Sequence, residues 1–292
     1  MTDAVITYVD GNDPVWQEEY RRSVGGDPLA KRFRDWGTLR YLLRGIERFL
    51  PFVDKVHLVV SSRSQVPSWV SDRVDVVLHE DIIPKEYLPV FNSTAIEMFL
   101  WKISSLAERF LYFNDDMFPV APCTEDDFFP GGKCAMGFSH HLLSGSLYKQ
   151  QTKASDRLAR KALGMRPGLF FIRPQHTLSP MLRSLSEAAY RAVESDILSA
   201  VTALRKPFNH NQYFYLDYLY YGGNAISRRI DNKHMSLAVS SIEKIEAFLS
   251  SPTHKHVCIN DVTMPDEAFE NMRPRLLSAF DRLLPEKSSF EK

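Results

Sequence analysis

The sequence predicts an α/β protein with a sheet core in its first half and an additional, mostly helical C-terminal half. Three observations predict it. Short β-branched runs alternate with segments of helical period as far as residue 116. Two of those runs end in aspartate-bearing turns, Asp10 to Asp13 and Asn114 to Asp116, and sheets of this class hold ligands beyond the carboxyl ends of their strands. After about residue 120 the apolar spacing becomes helical and irregular. The expected division is residues 1–120 as the α/β half and 121–292 as a helical half packed on it, one compact unit with no flexible linker.

Ala4 to Val9 reads as a buried strand closed by the turn Asp10-Gly-Asn-Asp-Pro14. From Asp35, residues Trp36, Leu39, Leu42, Leu43, Ile46 and Phe49 recur at helical spacing, with Asp35 available as a cap and Pro51 beyond the end. Val56 to Val60 and Val74 to Leu78 are further strand-like runs. Thr94 and Glu97 have the spacing of a capping box for a helix reaching about Leu106, and Phe110 to Phe113 is a strand leading into Asn114-Asp115-Asp116. Later helices are expected near Pro180 to Ser199, Tyr213 to Tyr221, Ile242 to Leu249 and Pro265 to Leu284; Val257 to Ile259 is the single later strand expected.

The 36 basic and 36 acidic residues cancel, so no global field draws nucleic acid, and anion binding must come from locally placed arginines. Cys123, Cys134 and Cys258 form no CxxC pair, which predicts neither a disulfide framework nor a thiolate zinc site and fits a reducing compartment. There is no leader pattern at the start and no stretch approaches the roughly 20 apolar residues of a membrane helix. A cytoplasmic protein is expected. No GxSxG, Walker A, GxGxxG or HExxH pattern occurs, which argues against a serine hydrolase, a P-loop kinase, a dinucleotide enzyme and a zinc hydrolase.

Adjacent carboxylates at a strand end repel unless a cation or donors compensate them, so Asp115-Asp116 suits a hard metal holding phosphate oxygens. Aspartates in such turns also serve as plain turn formers and caps, and the same two readings apply to Asp10 and Asp13. Arg32, Arg34, Arg40, Arg44 and Arg48 form a basic concentration, the last three spaced by four along one helix flank. It is either a solvated face or, at Arg34 or Arg40, a guanidinium fork for a diphosphate. His176 is a candidate general base, because imidazole titrates near neutrality; a structural histidine is the other reading. Trp16 and Trp36 flank the first loop as candidate sugar platforms.

Longer motifs go further. ITYVDGNDP (6–14), RFRDWGTLRYLLRGIERFLPFVDKVHLVVS (32–61) with QVPSWV (65–70), and LPVFNSTAIE (88–97) running on to ERFLYFNDDMF (108–118) resemble signature blocks of the Stealth family. A looser block holds His176 and YLDYLYYGG (215–223), and VCINDVTMPDE (257–267) with LPEKSSFE (284–291) resembles the family's ending. The family includes bacterial capsular and exopolysaccharide phosphotransferases and the catalytic subunit of the animal N-acetylglucosamine-1-phosphotransferase.

The resemblance implies a Rossmann-like sheet of the nucleotide-sugar-transferase type. It further implies transfer of a hexose or N-acetylhexosamine 1-phosphate from a UDP-sugar, UDP-N-acetylglucosamine or a relative, to a glycan hydroxyl, with Mg²⁺ or Mn²⁺. Carried over by motif, catalytic roles fall on Asp10, Arg40, Asp116 and His176, and the metal on Asp115 and Asp116. Donor contacts fall on Asp13, Arg34, Asn92, Ser93, Asn114, Arg205, Asn260 and Asp261. One stretch departs from the family: where it has an arginine-containing element this chain reads Arg205-Lys-Pro-Phe-Asn-His-Asn-Gln212, so Arg205, Lys206 or His210 fills that place. The implied reaction is in-line attack on the β-phosphorus with loss of UMP. The rivals are a glycosyltransferase releasing UDP, an idle glycan-binding protein and a metal-dependent phosphodiesterase. The expected partners are donor and glycan, without nucleic acid; peripheral association with a membrane polysaccharide-synthesis complex and a homo-oligomer are both compatible with the sequence.

Overall fold

Strand β1 (Thr2–Thr7) is buried along its whole length, as an apolar run must be when helices cover both faces of a parallel sheet. It pairs in parallel with β2 (Val53–Val60) on one side and β4 (Arg109–Asn114) on the other. β3 (Val74–Leu78) extends the sheet in parallel beyond β2, and β9 (Ser179–Leu182) closes the opposite edge antiparallel to β4. The order is β3-β2-β1-β4-β9. These statements come from a computed structural model that describes residues 1–28, 33–237, 239–261 and 263–292; Arg32 of the basic concentration and Val262 of the C-terminal block lie outside the described residues.

Helices α1 (Pro14–Val24) and α2 (Leu39–Phe49) connect β1 to β2. The apolar stripe of α2 packs inward, with Leu39, Leu42, Leu43 and Ile46 at most 2% exposed. At Gly45 a Cβ would stand 2.6 Å from the Pro119 carbonyl oxygen, so the missing side chain lets α2 approach β5 (Met117–Pro119) closely. β5 belongs to a second sheet, ordered β11 (Asn232–Ser236), β12 (His256–Asn260), β5. That sheet lies across the carboxyl end of β4, because Ile259 N donates to the Asp116 carbonyl at 2.9 Å.

The basic flank of α2 holds the C-terminal segment. Arg44, buried, donates through Nε and Nη2 to the Glu291 carboxylate at 2.8 and 2.9 Å and through Nη1 to the Leu284 carbonyl at 2.8 Å. Arg48 reaches the Leu283 carbonyl at 3.0 Å, and Arg40 stacks over Trp69 at 5.1 Å.

Several expected elements differ. Asp35 does not cap α2: the helix begins after Thr38, and the Asp35 carboxylate accepts from Gly37 N at 2.8 Å in the preceding turn. The segment from Thr94 forms only α3 (Ser93–Glu97), capped by Asn92 rather than by a Thr94–Glu97 box. Pro180 to Ser199 is not one helix but β9 followed by α5 (Arg183–Ala192) and α6 (Glu194–Ala200). The later chain also holds more strand than β12. β6 (Cys134–Ala135) pairs with β10 (Ala225–Ile226), β7 (Phe138–His141) pairs with β8 (Phe171–Pro174), and β11 flanks β12. These strands are two to five residues long and too short for an alternating pattern to register. Between β7 and β8 runs α4 (Leu147–Ala162), whose buried face includes Gln151, Thr152, Ser155 and Asp156; a polar inner face leaves no apolar periodicity to read. Helices α7 (Tyr213–Tyr221), α8 (Ile242–Ser250) and α9 (Asp266–Leu283) fall where the sequence places them.

Candidate active site

The parallel strands all point their carboxyl ends at one cavity of about 310 Å³. Tyr8 follows β1, Ser61 follows β2, His79 follows β3 and Asp115 follows β4, and each lines it. The far wall comes from the later half, through Ile259, Asn260 and Asp261 at the end of β12 and Leu276 of α9. A second cavity of about 580 Å³ adjoins the first. Ser93, Asn114, His176, Arg205 and Asn260 line both, so these five side chains form a common wall.

Carboxylates dominate the floor of the first cavity. Burial, then the charges of Asp116, Asp35 and Asp261, push the Asp115 carboxyl up to about 8. Asp35 is raised as well, chiefly by desolvation, and Tyr8 is raised by burial and by Asp35, Asp10 and Asp115 around it. Asp116 Oδ1 and Asn260 Oδ1 are buried without a hydrogen-bond partner. Such oxygens are costly unless something compensates them. Oxygens of this kind would suit a hard divalent cation, and Asp116 and Asn260, with the neighbouring Asp115, could supply its ligands. Asp116, His176 and Cys258 also place donor atoms within 4.8 Å of one another. The Cys258 thiol, however, is held well above its ordinary pKa by burial and by Asp116; it stays protonated and points at Asp116 Oδ2, 3.5 Å away, which is a poor ligand for a hard ion.

Arg34 stands beside this floor, paired with Asp261. Its side chain is 8% exposed, with Nη1 3.9 Å from Asp261 and Nη2 3.4 Å from Asp266, and its guanidinium lies 4.6 Å from the Phe269 ring centre. Arg205 donates to Ser93 Oγ at 2.5 Å on the common wall. Of the three candidates for the family's displaced arginine, Arg205 lines the cavities while Lys206 and His210 line neither. His176 Nδ1 is 3.4 Å from the Tyr213 hydroxyl, which is also hydrogen-bonded to Tyr148. A proton on Nδ1 shared with Tyr213 leaves Nε2 as the basic nitrogen.

Of the residues expected at the site, the structure brings ten to the first cavity: Arg34, Asn92, Ser93, Asn114, Asp115, Asp116, His176, Arg205, Asn260 and Asp261. Asn92 is there as architecture, its amide spent on Thr94, Thr202 and Asn209. Asp10, Asp13 and Arg40 line neither cavity. Asp13 caps α1 through Val15 N and accepts from Ser64 and Gln65, so its carboxylate is already satisfied. Asp10 folds back on Asn12 N at 2.8 Å and meets the site only through its field on Tyr8 and Asp35. Arg40 faces Trp69. Trp16 and Trp36 both line the first cavity.

Sequence reasoning missed the second cavity's own residues. Arg173 on β8, Arg229, His234 on β11 and the buried Glu97 line it, with burial first raising Glu97 to about 7. Arg173 stands three residues before His176 in a short polar stretch, which is the only hint the sequence offers.

This architecture defines an α/β enzyme whose acidic cavity lies at the carboxyl ends of parallel strands, beside a second, basic one. A model of conserved region 2 of Stealth proteins matches residues 32–136. The chain is 31% identical to the capsular polysaccharide phosphotransferase WcwK of Streptococcus pneumoniae, an alignment covering 99% of this chain and 98% of that protein. It is 30% identical, with the same coverage, to the receptor polysaccharide phosphotransferase WefC of Streptococcus oralis. To the exopolysaccharide phosphotransferase cps2G of Lactiplantibacillus plantarum it is 28% identical, covering 99% and 96%. The chain belongs to the Stealth family, and it is an enzyme of the phosphotransferase class. A solved galactosyltransferase, LgtC, aligns over 93% of this chain and 95% of its own at 11% identity and a TM-score of 0.39, a likeness too slight to weigh on function. No helix among the described residues is long and apolar enough to cross a membrane.

Proposed function

We propose that this phosphotransferase moves a hexose or N-acetylhexosamine 1-phosphate from a UDP-sugar to a glycan hydroxyl during capsular or exopolysaccharide assembly, forming a phosphodiester and releasing UMP. The observation that carries the reading is the common wall: an acidic, strand-end cavity and a basic cavity share His176, Arg205, Ser93, Asn114 and Asn260. Two ligands, one in each, would meet at those side chains. Residues 1–120 supply most of the donor side and residues 121–292 most of the acceptor side of a single catalytic unit, working in the cytoplasm at the periphery of a membrane polysaccharide-synthesis complex.

In this reading the donor diphosphate lies over Asp115 and Asp116, gripped by Arg34 and Arg205, with Trp16 and Trp36 beside it. Asp115 and Asp116 would hold Mg²⁺ or Mn²⁺, which would supply the positive charge that phosphate oxygens need there. Ser93, held by Arg205, and Asn114 orient the group in transit. His176, positioned by Tyr213, accepts the proton of the acceptor hydroxyl as its oxygen attacks phosphorus in line. The sugar keeps its bond to phosphate throughout, so no anomeric chemistry occurs.

The test is to incubate the purified protein with Mg²⁺, UDP-N-acetylglucosamine and a panel of oligosaccharides, and to identify the nucleotide released. Acceptor-dependent UMP with phosphorus retained in the product is expected; acceptor-dependent UDP would replace the reading with glycosyl transfer. His176→Ala is expected to lower kcat by about 10²-fold or more with little change in donor KM. Normal turnover by that variant, correctly folded, would place the base elsewhere.

A further inference from the structure

Away from both cavities, large apolar side chains gather in solvent at one place. Leu142 and Leu143, 45% and 77% exposed, leave β7; Leu169 and Phe170, 75% and 50% exposed, lead into β8. The register of these strands ends at the pair His141 and Phe171, so the two segments emerge side by side at one tip. Met165 joins them from the loop after α4, in which every residue from 164 to 170 is exposed. Exposed apolar residues scattered singly need no explanation, whereas a group at a protruding tip does.

Charge is equally uneven there. From Phe138 to Thr177 the chain carries seven Lys and Arg against one acidic residue, Asp156, in a protein whose formal net charge is zero. Asp156 is buried against Arg160, and Lys161 pairs with Asp196. Lys149, Lys153, Arg157, Arg166 and Arg173 have no ion pair among the described residues. Lys153 Nζ lies 5.9 Å from the centre of the Phe171 ring, at the end of the strand pair. Desolvation and then the charges of Arg173 and Lys149 lower the His141 pKa, which sets those cations beside the tip.

We propose that the tip of β7 and β8, with loop 164–170, docks on an anionic lipid bilayer, the leucines and Phe170 entering the interface while Lys149, Lys153 and Arg166 meet lipid phosphates. Protruding apolar side chains in a basic segment whose one carboxylate is buried suit a lipid surface. A few such side chains fall well short of the roughly 800 Å² that each partner contributes to an ordinary protein interface. The other end of the same strand pair, through Phe138, Ser139, Arg173 and Pro174, lines the second cavity. Docking here would hold that cavity close to the membrane, a consequence that bears on the acceptor reading above, although the docking itself does not rest on it.

Co-sedimentation of the full chain with phosphatidylcholine vesicles, and with vesicles of equal parts phosphatidylcholine and phosphatidylglycerol, tests the surface. At about 0.1 M salt, binding to the anionic vesicles is expected to exceed binding to neutral ones at least tenfold and to weaken as salt rises. Leu143→Ser with Phe170→Ser, and separately Lys149→Glu with Lys153→Glu, should each lose most of that binding at an unchanged urea midpoint. Equal binding to both vesicle types, wild-type binding by either variant, or a dimer that Phe170→Ser dissolves would each overturn the proposal. UMP release with a water-soluble acceptor is measured without vesicles, so loss of docking with turnover intact sinks the surface alone. Docking without turnover sinks only the catalytic reading.

Discussion

The two cavities share a wall but are built from opposite charge. The first gathers Asp115, Asp116 and Asp261 at strand ends and Asp35 from the turn before α2, beside Trp16, Phe33 and Trp36; the second gathers Arg173, Arg205 and Arg229 on the later half. A diphosphate placed over the acidic floor meets repulsion until a cation stands between them, whereas the basic cavity needs no added charge to hold an anion or orient a hydroxyl. Donor binding should therefore depend on metal and pH, and acceptor binding on arginine.

The sharpest way to break this contrast is at Asp116. Asp116→Asn keeps shape and removes charge, and is expected to cut acceptor-dependent UMP release by roughly 10²–10³-fold; unchanged turnover in a steady-state assay would mean that the acidic floor is not the reacting centre. Next comes Asp115. With its carboxyl held at about 8, a proton must leave before metal binds, so Mn²⁺ affinity by calorimetry should rise about tenfold per pH unit up to that point and level off above it. Asp115→Asn should flatten the profile. The sign for stability is opposite. A carboxyl whose folded pKa, about 8, exceeds its unfolded value of 3.8 keeps a proton that unfolding releases, so the metal-free fold loses stability as pH rises between those values.

On the basic side, Arg173→Ala with Arg229→Ala should raise the acceptor KM about tenfold and leave donor KM and metal affinity where they were. A rise in donor KM instead would merge the two cavities into one site. The smallest catalytic effect is expected from Arg44→Met. It leaves the buried Glu291 carboxylate unpaired, so urea unfolding should show a loss of about 3 kcal/mol while kcat holds.

The contrast also shows which parts were legible in advance. β1, β3, β4 and the stripe of α2 repeat a strand or helix period over enough residues to be read directly. Asp115 and Asp116 of the acidic floor were legible because their turn follows β4 at once, whereas the Asp10–Asp13 turn lines neither cavity and Asp35 reads in the sequence only as a helix cap. The second cavity was not. Apart from the shared wall, its residues lie on two- to five-residue strands, in loops and on the polar faces of α3 and α4, where no periodicity survives. The basic flank of α2 misled for a related reason: spacing by four says that Arg40, Arg44 and Arg48 share a side of the helix, but not that Glu291 and the Leu284 carbonyl await Arg44 there. Asp13 similarly reads as a site residue until its oxygens are found capping α1 and accepting from Gln65.

By itself the sequence determined the parallel core, the two aspartate turns at its carboxyl ends and, through its long motifs, membership of the Stealth family. Those are local or ordered properties, written in the period and succession of residues. Only the tertiary structure decided which aspartates face the cavity and which cap helices, that His176 leans on Tyr213, and that residues as far apart as Ser93, His176 and Asn260 form one wall. Each of those outcomes depends on contacts between distant segments, and a side chain's charge, hydrogen bonds and burial are set by the neighbours that folding brings to it rather than by those beside it in the chain.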